Sequence, residues 1–182
     1  MTDQFRTGLV TFLVMVTLSG CELQRLPQAQ GGAAVVVPGS ELTGAWRSKI
    51  QFDKGVLSGV TDLEFLYAYN VGGTMTESSN YDEAANSSPP AYGVWRKTGP
   101  RQFETRYVFY QTRAPGPADG EGAAGGWLPA GHGVLTEHIT LSADGNSYTS
   151  TVHYDSFDKD GQPADGGGDA TGAGTRITFD SL

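Results

Sequence analysis

The sequence predicts an all-β protein: an eight-stranded, up-and-down antiparallel β-barrel, preceded by an N-terminal signal helix and a flexible tether. Three observations carry this reading. After Ser40 the apolar residues recur with period two rather than with the period of a helix. The runs are bounded by Gly, Asp, Asn and Pro, the residues that end strands. The stretch 41–182 is long enough to bury one core, and a chain with a single cysteine must rely on that core rather than on a disulfide. Eight meandering strands in an acidic domain close most naturally into a barrel, because closure removes both exposed edges.

Residues 1–20 carry Arg6, then the apolar run 9–18, then the small residues Ser19 and Gly20 ahead of Cys21. That is the layout of a secretory signal. The run falls short of the roughly 20 apolar residues a spanning helix needs. Residues 21–40 mix Gln, Pro, Gly and Ala without period and read as a tether, ending near a short apolar run at Val35-Val36-Val37.

The barrel domain, 41–182, divides into strands at 42–52, 60–70, 73–79, 91–97, 102–113, 133–142, 147–157 and 170–179. The clearest hairpin crosses Ala143-Asp144-Gly145-Asn146. With Asp144-Gly145 at its tip, Leu141 faces Tyr148, Ile139 faces Ser150 and Leu135 faces Tyr154, so apolar side chains share one face. Turns are also marked at Asn70-Val71-Gly72-Gly73, Thr98-Gly99-Pro100 and Asp158-Lys159-Asp160-Gly161. The connections 80–90 and 114–132 are long and rich in small residues, as functional or mobile loops are.

Alternation assigns Trp46, Phe65, Tyr67, Tyr69, Tyr107, Phe109, Tyr148 and Tyr154 to the lumen, beside Leu42, Ile50, Leu63, Phe103, Leu135, Ile139 and Val152. Trp95 joins them only if the turn at 98–101 keeps parity, since a one-residue change there sends it outside. A tight turn at Gly72 would place Thr74, Thr76 and Ser78 on the lumen wall. An eight-stranded barrel is just wide enough to be filled by side chains or to hold one small ligand, and both readings stand. The candidate ligand-binding residues are Trp46, Phe65, Tyr67, Tyr69, Trp95, Tyr107, Phe109, Glu137, Tyr148 and Tyr154.

Glu137 lies inward between Leu135 and Ile139, opposite Val152. A carboxyl in an apolar lumen has a raised pKa unless paired, so it is either an acid or polar anchor for a ligand, or a group near a mouth that is solvated or paired with an arginine. It is the only candidate catalytic residue. His138 and His153 point outward on diagonal positions, where zinc would need a further ligand, and solvated histidines are the simpler reading. His132 lies after Trp127 with no nucleophile placed to use it. Asp158-Lys159-Asp160-Gly161, followed by Asp165 and Asp169, begins like a calcium loop but lacks the flanking helices, so a hairpin turn is the simpler reading. No metal and no cofactor is expected.

The net charge of −8 argues against nucleic acid and against a polybasic grip on anionic lipid. Leu18-Ser19-Gly20-Cys21 resembles the lipobox of bacterial lipoproteins. The resemblance implies cleavage before Cys21, a diacylglycerol on its sulfur and an acylated N-terminus, with the membrane as partner through that lipid. Several acyl chains anchor stably at about 0.8 kcal/mol per buried methylene. The implied address is the bacterial cell envelope, and Glu22, where an Asp tends to mark inner-membrane retention, favours the outer membrane facing the periplasm.

Leu42-Thr43-Gly44-Ala45-Trp46 resembles the Gly-x-Trp start of lipocalins and related calycin barrels, and Gly174-Thr175-Arg176 resembles their closing arginine, which lies across that tryptophan. The middle of the chain, from Gly93-Val94-Trp95-Arg96-Lys97-Thr98-Gly99 through Asp144-Gly145 to Asp160-Gly161, is similar to lipocalin-like barrels of uncharacterised bacterial secreted proteins. The family implies a barrel that binds a small apolar or aromatic molecule. Two alternatives remain: a barrel enzyme of cyclase or isomerase type using Glu137, and a filled barrel serving as a structural or protein-docking module with an unknown partner.

Overall fold

The structure is a computed structural model that describes residues 39–55, 57–81, 89–119 and 126–182. The signal segment 1–20, Cys21 and the tether up to residue 38 lie outside the described residues.

The strands are β1 (Gly44–Phe52), β2 (Glu64–Tyr69), β3 (Thr74–Ser79), β4 (Ala91–Gly99), β5 (Gln102–Arg113), β6 (Leu128–Leu141), β7 (Ser147–Asp158) and β8 (Pro163–Arg176). Each pairs antiparallel with the next, and β8 pairs with β1 to close the barrel. The only helical elements among the described residues are single 3-10 turns at Pro117–Asp119 and Phe179–Ser181.

The register follows the turn chemistry. Leu141 pairs with Tyr148, Ile139 with Ser150, Glu137 with Val152 and Leu135 with Tyr154. Between β4 and β5 a bulge between Lys97 and Gly99 absorbs one residue. Trp95 therefore opposes Thr105 and stays buried, and its Nε1 donates to the Asn70 and Thr74 carbonyls at 3.1 and 3.0 Å.

Boundaries differ from the sequence reading where chain is spent on turns or where alternation is faint. Residues 57–63 make a turn over one end of the barrel, with Val60 N bonding Leu57 O, so β2 begins at Glu64 rather than at 60. Residues 39–43 turn likewise at the other end, burying Leu42 beneath Trp46. Strand β8 starts at Pro163, earlier than residue 170, because its glycine-rich first half pairs with β7 across a bulge. Strand β3 is a correction of face. The loop 70–73 uses four residues, with Gly72 and Gly73 both at positive φ (97° and 88°), and pairs Tyr69 with Met75. Met75 and Glu77 consequently point inward, while Thr74 and Ser78 are exposed and Thr76 lies half-buried on the outer face.

The two ends are built differently. Tight turns at 70–73, 100–101 and 142–146 close one end, and the longer connections leave from the other. At the closed end the Arg176 guanidinium lies 4.2 Å over the Trp46 ring. It also donates to the carbonyls of Gly145, Thr43 and Glu41 at 3.0, 2.7 and 2.5 Å. A planar fork suits that multiple donation and stacking together. Above it, Tyr148 packs on Trp46 with ring centroids 5.1 Å apart. A Cβ at Gly174 would come within 2.2 Å of the Tyr148 ring, so the small residues of β8 make room for the large ones of β1 and β7.

Candidate functional site

At the end opposite Arg176 the barrel holds a cavity of about 440 Å³. Its wall is apolar where Phe52, Leu57, Leu63, Phe65, Phe109 and Leu135 meet it. Polar groups enter from Glu77, Ser79, Gln111, Tyr154 and Ser156, and Arg113, Asp158 and Asp165 stand at the rim.

Glu77 is the least expected of these. Period two turns it inward from β3, where it is 6% exposed and its Oε1 has no hydrogen-bond partner among the described residues. Burial and the nearby Glu137 charge raise its pKa to about 8. Glu137, fully buried from β6, is raised to about 7 by desolvation, with the Ser150 and Tyr67 hydroxyls pulling the other way. Those hydroxyls stand near, yet neither closes a well-aligned hydrogen bond, and both carboxylate oxygens remain unpartnered among the described residues. No basic side chain among the described residues offsets either acid. Each is thus held toward its neutral form, since an unpaired charge inside a protein is costly.

Gln111, on β5, has its amide nitrogen engaged by Tyr154 Oη at 2.7 Å and by Ser156 Oγ at 3.4 Å. With that nitrogen engaged, the amide oxygen is the group Gln111 has left to offer as an acceptor. Arg113 is tied in a fork to Asp119 at 2.7 and 2.6 Å.

Of the ten candidate ligand-binding residues, Phe65, Phe109 and Tyr154 line this cavity. Trp46, Tyr67, Tyr69, Trp95, Tyr107, Glu137 and Tyr148 are buried and lie outside its lining. They fill the rest of the barrel: Tyr67 stacks at 5.6 Å on Tyr69, and its hydroxyl shares a 2.9 Å hydrogen bond with Tyr107. The lumen is therefore half filled and half open. A molecule in the cavity meets Glu77, whereas Glu137 stays among packed rings.

The histidines are elsewhere. His153 bonds Asp169 at 2.7 Å and Asp155 at 3.2 Å on the outer surface, and Asp169 holds its pKa above the usual value. His138 is exposed opposite Glu104, and His132 stacks on Phe157 at 4.8 Å. The segment 158–162 is a hairpin turn whose Asp158 Oδ1 accepts from the Asp160 and Gln162 amides at 2.9 and 2.8 Å.

Sequence reasoning missed Glu77 and Gln111. Gln111 follows from the alternation of β5, two residues beyond Phe109. Glu77 depended on the loop 70–73 taking four residues rather than two, which the Gly72-Gly73 pair hints at. Comparison with family models, with curated proteins and with solved structures returns no match.

Proposed function

We propose that the chain is a lipid-anchored protein of the bacterial cell envelope whose barrel holds one small, predominantly apolar molecule. The observation that carries the binding reading is the cavity of about 440 Å³ with aromatic and aliphatic walls and a few convergent polar groups. That combination is the usual make-up of a ligand site, within its usual range of roughly 300–1,000 Å³. The anchor rests on the lipobox-like Leu18-Ser19-Gly20-Cys21 and the apolar run before it. The lipocalin-like start at Gly44-Ala45-Trp46 and the Arg176 contact at the closed end are in keeping with such a barrel.

The test is native mass spectrometry of the full-length protein taken gently from its own host's membranes. A reproducible added mass that diminishes in Leu135→Trp, where an indole protrudes into the cavity, supports binding. A clean apo mass in the wild type argues against it. Cys21→Ser should move the protein out of the membrane fraction, and retention there would sink the anchor.

A second reading has one observation in its favour. Tyr92, Val94, Val108 and Tyr110 are 64, 60, 40 and 72% exposed, and Tyr92 pairs with Val108 on the outside of β4 and β5. An exposed apolar strip of this kind suits a protein-docking module. Loss of a cross-linked partner on Tyr92→Lys with Val108→Lys would favour it.

A further inference from the structure

The polar groups that reach the cavity are carboxyl, amide and hydroxyl groups, every one able to accept a hydrogen bond, and none is a free cation. The unpartnered Oε1 of Glu77 is there on a side chain more than nine-tenths buried. Gln111 lines the cavity with its amide nitrogen committed to Tyr154 and Ser156, so its oxygen is the group it has left to offer. The single basic residue in the described lining, Arg113, is consumed by Asp119. Behind Glu77 the second acid, Glu137, likewise has no counter-ion among the described residues. A carboxyl so placed ionises readily only when a cation pairs with it, because a buried charge is stable only when paired.

We propose that the molecule held in the cavity is an amphiphilic amine, its apolar body against Phe65, Phe109 and Leu135 and its ammonium group on Glu77, with the Gln111 oxygen as second acceptor. This rests on the cavity being a binding site. An ammonium has three donors and no acceptor, which matches a wall of acceptors. Its charge converts an isolated carboxyl into a charge-assisted pair, roughly twice as strong as a neutral hydrogen bond. The proton that Glu77 carries in the empty cavity leaves to solvent as the pair forms. A ligand anion would meet Glu77 and Glu137 with no free cation in the described lining to receive it. A neutral alcohol or carbonyl can take one hydrogen bond from protonated Glu77, and it is the competitor the experiment must separate.

The test titrates 1-naphthylmethylamine and 1-naphthylmethanol, alike in shape, into the full-length protein in zwitterionic lipid nanodiscs at pH 7.5. Binding is read by calorimetry against empty nanodiscs. The amine should bind at least tenfold tighter than the alcohol. In Glu77→Gln the amine should lose that preference, falling within about threefold of the alcohol, while the alcohol's own affinity is kept and reports an intact cavity. An alcohol that binds as tightly as the amine to the wild type overturns the proposal and leaves the binding site standing. An amine preference that survives Glu77→Gln overturns the seat at Glu77. If neither compound binds, the binding site itself is wrong and the amine proposal falls with it. The wild-type ratio tests the amine preference even if the variant is poorly folded.

Discussion

Replacing both buried acids, Glu77→Gln together with Glu137→Gln, should flatten the dependence of stability on pH. In the folded chain the two carboxyls titrate at about 8 and about 7, against 4.5 when unfolded. Between those limits the folded state holds more protons than the unfolded state, so stability falls as pH rises. The contribution is fully present below pH 4.5 and is lost as pH passes through the folded values. Each pH step of one between the unfolded and folded values is worth about 1.36 kcal/mol, so Glu137 alone removes about 2.5 kcal/mol between pH 5 and 8, and Glu77 acts in the same direction. Carboxylates with lowered pKa, such as Asp119 and Asp169, change stability only at more acid pH. His153, raised by Asp169, adds a shallow fall at the upper end of the window. Urea unfolding followed by tryptophan fluorescence at pH 5, 6, 7 and 8 reads the slope directly. The wild type should lose at least about 2 kcal/mol across that range, and the double variant less than about 1 kcal/mol. A wild type whose stability is flat or rises with pH would refute the reasoning, as would a double variant that keeps more than half the slope.

Three further outcomes follow from other parts of the barrel. Arg176→Met should lower stability by about 3 kcal/mol, since three carbonyl acceptors and the Trp46 face lose their donor, and Arg176→Lys should recover less than half of that in thermal unfolding. Gly174→Ala should cost about 1–3 kcal/mol by driving a methyl group into the Tyr148 ring, with a shift in tryptophan emission as Trp46 is displaced. The His153 ring should titrate above 6.5 by NMR and return toward that value in Asp169→Asn; an unchanged titration would show that the 2.7 Å contact carries no charge pairing in solution.

The architecture is legible where side-chain size alternates and where turn residues are unambiguous. Asp144-Gly145 sets the β6–β7 register, and every large residue assigned inward from alternation is buried except Phe109, which is half-buried at the cavity wall. Strand β3 reads Thr-Met-Thr-Glu-Ser-Ser, in which only Met75 distinguishes one face from the other. Its face is therefore set by a loop length that glycines permit but do not dictate. Strand β8 reads too short for a related reason, since its sequence has almost no large side chains to alternate. Whether the lumen is open or filled depends on which large residue lies across from Ala170, Gly172 and Gly174. That correspondence needs the closing pairing of β8 with β1, which local sequence does not contain. Hence alternation alone turns Glu137 inward, while its burial among rings and the place of Glu77 at the cavity emerge only from the closed barrel.

The seam at Trp46 and Arg176 also governs when the molecule can form. Every other strand pair joins neighbours along the chain, so hairpins can assemble one after another from local contacts. The β1–β8 pairing instead links residues 46–52 to 170–176. Contacts of such sequence separation are the slow ones in folding. A chain emerging amino-terminus first must keep the β1 edge unpaired until its last strand is delivered, and an unpaired edge is a template for other chains. Loss of a dozen residues from the carboxyl terminus would take away Arg176 and six of the seven β8 residues that pair with β1, leaving a sheet with two permanent edges.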